Sequence, residues 1–88
     1  MLVKIWIGNN YDSGYYTEID VPLMDIAEIL AERYGISGKA MYKIILDYDL
    51  DLTEDLENNE EIQELAFEIY RMEREWLWVK VNSYLVLL

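Results

Sequence analysis

Apolar and polar positions alternate from the start of the chain: Val3, Ile5 and Ile7 point one way, and Leu2, Lys4 and Trp6 the other. A period of two marks a strand, because successive side chains leave opposite faces of the pleat. The stretch "GNNYDSG" then supplies turn residues, and alternation resumes with Tyr15, Thr17, Ile19 and Val21 on one face. A hairpin is expected. Pro22 suits the first turn of a helix, where its missing N–H costs nothing. Beyond it Leu23, Ile26, Ala27, Leu30 and Tyr34 recur at helical spacing, Gly35 ends the run, and Asp25, Glu28 and Glu32 form an acidic outer stripe.

After "GISGK" the even positions Tyr42, Ile44, Leu46, Tyr48, Leu50 and Leu52 are apolar, while odd ones become Asp47, Asp49 and Asp51. The period is again two, so a third strand is expected, with aspartates about 6.6 Å apart on its open face. "NNEEIQEL" offers Asn58 as an N-cap with Glu61 three residues on, close to a capping box. The helix that follows buries Ile62, Leu65, Ile69, Met72 and Trp76 and carries Glu57, Glu61, Glu64, Glu68 and Glu75 on much of its other side. Residues 77 to 88 fit a helix through Leu77, Val81 and Leu85, or a strand alternating Leu77, Val79 and Val81 against Trp78, Lys80 and Asn82. The expected fold is α+β in a single domain. Residues 1 to 53 form a small three-stranded antiparallel sheet with one packed helix; residues 54 to 88 add one or two C-terminal helices, the first acidic and the end apolar.

Composition supports a folded chain. Its 88 residues are 53% hydrophobic and include three Trp, eight Tyr and one Phe, too apolar and aromatic for a disordered acidic tail. Trp6, Tyr15, Tyr42, Tyr48, Tyr70 and Trp76 are expected to pack, since so small a domain needs bulky side chains to fill its core; Tyr11 and Tyr16, near the turn, are less constrained. Without cysteine there is neither a disulfide framework nor a thiolate metal site, which suits a reducing cytoplasm. No signal peptide is evident, and "WLWVKVNSYLVLL" is interrupted by Lys80, Asn82 and Ser83 and falls short of the ~20 residues of a membrane span. A cytoplasmic protein with no membrane partner is expected.

Charge changes the picture most. The net charge is −11, and residues 44 to 70 hold ten acids and no base: Asp47, Asp49, Asp51, Glu54, Asp55, Glu57, Glu60, Glu61, Glu64 and Glu68. Such a field opposes direct contact with nucleic acid and favours a basic partner reached by electrostatic steering. A solvated face would need no exclusion of bases, and like charges such as Glu57 with Glu61 or Glu64 with Glu68 each cost ~0.2–0.5 kcal/mol on a helix.

Catalysis is not expected. There is no His or Cys, and Ser13, Ser37 and Ser83 have no base in any recognisable motif. No cofactor is implied. Asp49, Asp51, Thr53 and Glu60 follow part of the EF-hand ligand spacing, yet Glu54 stands where a glycine must turn the loop; starting from Asp47, Leu52 stands there instead. No metal site is assigned, and a calcium-binding module, or an adaptor using Trp76, Trp78 and the apolar C-terminus, stands as a further alternative. Duplex DNA offers a template for the acids: it carries one negative charge per ~1.7 Å of axis, and its binders present basic channels shaped to that lattice. Carboxylates spaced along a strand and then a helix would occupy such a channel, with Asp25, Glu28 and Glu32 extending the surface.

The segment "YKIILDYDLDLTEDLENNEEIQELAFEI" resembles ArdA-type antirestriction proteins. In that family a strand ending in Asp-Tyr-Glu or Asp-Tyr-Asp runs through an acidic loop into a helix of the form Glu-Tyr-x-Ser/Asn-x-x-Glu-Leu-Asn-x-Leu-Ala. Asp47, Tyr48 and Asp49 match the first element; Asp55, Asn58, Glu61, Leu65 and Ala66 match the second. Leu56 departs from the usual Tyr, and Ile62-Gln63 from Leu-Asn. "VKIWIGNNYDSGYYTEIDVPL" looks like the family's opening strand, loop and second strand. The likeness spans most of residues 3 to 74. It implies a DNA mimic of phage or mobile-element origin that inhibits type I restriction-modification enzymes, or alternatively blocks the DNA channel of a CRISPR effector. Family members are elongated three-domain dimers, so this chain would correspond to the first domain and the start of the second. A homodimer would then use its own apolar C-terminal segment. The family also implies that residues 76 to 87 continue as a helix.

Overall fold

A computed structural model describes the backbone of residues 1–10 and 13–87 and the side chains of residues 1–8 and 13–74. Among the described residues there are two strands and four helices: β1 (Leu2–Asn10), β2 (Ser13–Asp20), α1 (Leu23–Tyr34), α2 (Gly38–Asp47), α3 (Thr53–Asn58) and α4 (Glu60–Leu87). The strands pair antiparallel with Val3 opposite Ile19, Ile5 opposite Thr17 and Trp6 opposite Tyr16. Val3, Ile5, Ile19 and Val21 are buried, so the expected alternation sets the inner face. Tyr15 is the exception on that face; it is exposed near the turn of the hairpin.

Helix α1 starts where Pro22 leaves its carbonyl free to accept from the Asp25 and Ile26 N–H groups. It buries Ile26, Ala27, Leu30 and Ala31. Gly35 closes it at φ 66°, a backbone region that costs an L side chain, and the N–H groups of Gly35 and Ile36 return to the carbonyls of Glu32 and Ala31. Tyr34, expected in the stripe, is exposed.

The third strand does not form, and the sheet has two strands rather than three. Residues 38 to 47 are helix α2, capped by Ser37, whose hydroxyl accepts from the Ala40 N–H at 3.1 Å. The physical reason lies in the odd positions: Met41 and Ile45, one helical turn apart, are buried against α1. The even residues Ile44, Leu46, Tyr48 and Leu50, which suggested a packed strand face, are exposed. Asp49 then adopts φ 48°, and the Leu50 N–H bonds to the Ile45 carbonyl at 3.2 Å, terminating α2.

Leu52 returns to the core, and Asp51 accepts from both the N–H and the hydroxyl of Thr53 as α3 begins. The cap of α4 is Asn59 rather than Asn58; its side chain accepts from the Ile62 N–H at 3.2 Å. Ile62 and Ala66 are fully buried and Leu65 and Ile69 partly, whereas Met72 is exposed. Gln63 ties α4 to its neighbours by donating to the Lys4 and Leu56 carbonyls. The α4 backbone continues as helix to Leu87. At 1.5 Å per residue it runs about 42 Å, within a molecule measuring 53 × 35 × 20 Å. The expectations for Tyr11, Glu75, Trp76, Trp78 and the apolar C-terminal side chains lie outside the described residues. Among the described residues no helix is long and apolar enough to cross a membrane.

Candidate acidic docking surface

Helices α1 and α4 pack side by side and leave a groove of about 480 Å³ between them. Asp25, Glu28 and Glu32 line one bank, and Glu61, Glu64 and Glu68 the other, with Ile29 and Leu65 as its apolar lining. The two triplets share one spacing, i, i+3, i+7, which puts successive carboxylates about 4.5 and 6 Å apart along each axis. The arrangement follows from amphipathicity. Ile26 and Leu30 turn one side of α1 to the core while Ile62 and Ala66 do the same for α4, so the acids emerge together at the seam. Among the described residues no ion pair engages any of these six carboxylates.

The other predicted residues are not brought into that groove. Asp47 is the last residue of α2 and Asp49 its left-handed terminator, so the strand-borne lattice of Asp47, Asp49 and Asp51 is absent. Asp51 serves the start of α3; the Thr53 hydroxyl, and then its N–H, hold the carboxyl below its ordinary pKa. Glu54 and Asp55 occupy the first turn of α3, Glu60 that of α4. Asp55 is met by Arg33 of α1 at 3.5 Å, so a segment with no base in sequence acquires one in space. With Arg33 exposed and Asp55 half-buried at the surface, the pair contributes ~0–1 kcal/mol. The fragment of calcium-like spacing is divided among three helix ends. Among the described residues no group of three or more acidic side chains is placed to hold a metal ion.

Two features depend on packing that the hydrophobic pattern does not encode. On the outer face of the sheet Trp6 and Tyr16 meet edge to face, centroids 4.9 Å apart, and with Lys4, Glu57 and Gln63 they line a second pocket of about 430 Å³. Trp6, Tyr15 and Tyr48, expected to pack, are instead exposed. The cross-strand pairing of Trp6 with Tyr16 was the available signal, since both belong to outward positions of the hairpin. At the edge between β2 and α4, the Tyr15 and Tyr70 hydroxyls lie 3.0 Å apart and Arg74 donates to Tyr70 at 2.7 Å. Accepting from Tyr15 lowers the Tyr70 pKa, and donating to Tyr70 raises that of Tyr15.

No family model, curated protein or solved structure matches this chain. The likeness to ArdA-type proteins therefore stands on the quoted residues, and its first element, Asp47-Tyr48-Asp49, closes a helix here where the family ends a strand.

Proposed function

We propose that the protein is a non-enzymatic DNA mimic that occupies the basic DNA channel of a host defence enzyme. The first target is a type I restriction-modification enzyme and the second a CRISPR effector; the residue likeness supplies that choice of target. The observation that carries the reading is the pair of matched carboxylate rows, Asp25, Glu28 and Glu32 facing Glu61, Glu64 and Glu68 across one groove. Packed helix axes lie about 8–10 Å apart, and the grooves of B-DNA are about 6 and 12 Å wide between phosphate rows. Two negative rows flanking one groove repeat, over a short length, the arrangement of the phosphates along a duplex. The surrogate phosphates are these six residues, with Glu60 beside them in sequence, rather than a continuous lattice through Asp47, Asp49 and Asp51.

A net charge of −11 steers such a protein to a cationic channel and weakens its grip as salt rises. The test is DNA cleavage by a type I enzyme, and DNA binding by a CRISPR effector, with increasing inhibitor at low salt. Loss of activity that recovers on adding DNA or salt supports the reading. Full activity of both enzymes in a large excess of the protein refutes it for these targets.

A further inference from the structure

The pocket on the outer face of the hairpin has a chemistry distinct from that of the acidic groove. Trp6 is 40% exposed and Tyr16 63%, and their rings stand 66° to one another, forming a corner rather than a stack. The Trp6 ring lies across Gly14: a methyl there would come within 2.6 Å of its Cζ2, so the glycine fixes where the indole rests. Tyr16 is directly opposite Trp6 in the ladder, which holds the second wall. Glu57 of α3 and Gln63 of α4 complete the lining. The Gln63 amide nitrogen is already committed to the Lys4 and Leu56 carbonyls, which leaves its oxygen as an acceptor.

The pocket therefore offers the Trp6 ring, a carboxylate and an amide oxygen, a set that attracts a planar donor cation. The protein already uses its aromatics in this way. The Lys4 ammonium lies 5.1 Å from the Tyr16 centroid, and the Arg74 guanidinium 5.5 Å from that of Tyr70. Lys4 and Glu57 line the same pocket without forming an ion pair, so the Glu57 carboxylate has no cation of its own among the described residues. A guanidinium satisfies every group present: it stacks on an aromatic face and presents a fork of N–H donors to a carboxylate.

We infer that this pocket binds an arginine side chain, the guanidinium lying against Trp6 and bonded to Glu57. Lys4 occupies Tyr16 and tempers the site by like-charge repulsion. The chemistry of the pocket stands by itself; that the arginine comes from a protein partner rests on the proposed competition for a basic channel. The site would then serve as a specific anchor beside a surface that otherwise recognises only charge.

The probe is N-acetyl-arginine amide, titrated into the intact protein to tens of millimolar while the Trp6 indole N–H is followed by NMR, its resonance assigned with Trp6→Phe. A saturable shift of that signal is expected, absent with N-acetyl-glutamine amide. Glu57→Gln should weaken binding roughly fivefold and Lys4→Met should strengthen it roughly twofold, in line with exposed cation–π and ion-pair energies. Both side chains are exposed, and the same spectra report whether each variant is folded. An unmoved Trp6 indole, indifference to Glu57→Gln, or weaker binding in Lys4→Met each overturns the inference, the last by marking an anion site. Failure to compete with DNA would leave this titration unaffected, so the two readings fail separately.

Discussion

Asp49 offers the sharpest check on how the acidic segment folds. It sits at φ 48°, and the Leu50 N–H beyond it reaches back to the Ile45 carbonyl, so the residue terminates α2. Left-handed backbone costs an ordinary L residue about 1–2 kcal/mol, which Asp and Asn partly recover by local hydrogen bonding. The carboxylate also stands, with Asp47, at the negative end of the helix dipole, a cost of about 0.3–1 kcal/mol. Three neutral substitutions separate these terms. Asn removes the charge and keeps the tolerance of left-handed backbone, so Asp49→Asn should raise stability by about 0.3–1 kcal/mol. Gly removes charge and strain together and gives back about 0.5–1 kcal/mol through the freedom of the unfolded chain, landing level with Asn or above it. Ala removes the charge but bears the strain, and should fall about 1 kcal/mol below Gly.

Urea unfolding at fixed salt measures the series, with an unchanged slope confirming that only stability moved. The order Gly and Asn above Ala is the signature of a left-handed terminator. Ala equal to or above Gly would refute it, because that order belongs to an ordinary helix or strand interior, where glycine is the poorest choice. Since Asp49 lies outside the groove, Asp49→Asn should also leave competition with DNA within about twofold, as one exposed charge contributes little.

Replacing Glu61, Glu64 and Glu68 together by Gln should weaken binding to a basic target about tenfold or more and flatten its salt dependence, read by competition at two ionic strengths; exposed pairs are each worth ~0–1 kcal/mol. Ile62→Ala, at a fully buried position, should cost about 2–5 kcal/mol in urea unfolding, enough to unfold much of so small a domain. In ultraviolet titration Tyr15→Phe should move the Tyr70 pKa upward, because the donor that lowers it is gone, and Tyr70→Phe should bring that of Tyr15 down. Asp51 is held below its ordinary pKa, so its contribution to stability is present above the unfolded value and is lost as pH falls through the lowered one. Thr53→Val removes the hydroxyl donor, and the acid limb of the stability curve should become less steep.

The hairpin and α1 were legible because each carries one period and one set of boundary residues. Val3, Ile5, Ile19 and Val21 alternate, and Pro22 and Gly35 bracket the helix. The segment after Ser37 failed because it carries two periods at once. Its even residues alternate like a strand from Tyr42 to Leu52, while Met41 and Ile45 supply a helical stripe only two residues long. Ser37, three residues before the Ala40 N–H it caps, was the signal that separates them. The exposed Ile44, Leu46 and Tyr48 gave a false face, since apolar residues at the surface of a domain this small are no guide to burial. For the acids, sequence indicated quantity and the amphipathic helices indicated direction. The meeting of the α1 and α4 rows, the approach of Arg33 to Asp55 and the Trp6–Tyr16 corner each depend on how distant segments pack, which periodicity does not encode.

The cost of the acidic groove bears on its purpose. Within each row neighbours at three and four residues repel, and the packing of α1 on α4 adds repulsion across the seam. Ile29 and Leu65, partly buried there, supply the apolar contact that opposes it. Arg33 shows that a base can be accommodated on α1, yet it turns to Asp55 of α3 and does not neutralise a groove carboxylate. Salt should therefore act in opposite directions on two properties with one cause. The Debye length exceeds the spacing of these charges at 0.1 M, being about 10 Å, and drops below it near 1 M, where it is about 3 Å. Added salt should relieve the repulsion and stabilise the fold, while it should weaken the binding to a basic channel that we propose. A surface acidic only for solubility would have no reason to concentrate that conflict in one groove, whereas a surface that substitutes for DNA cannot avoid it.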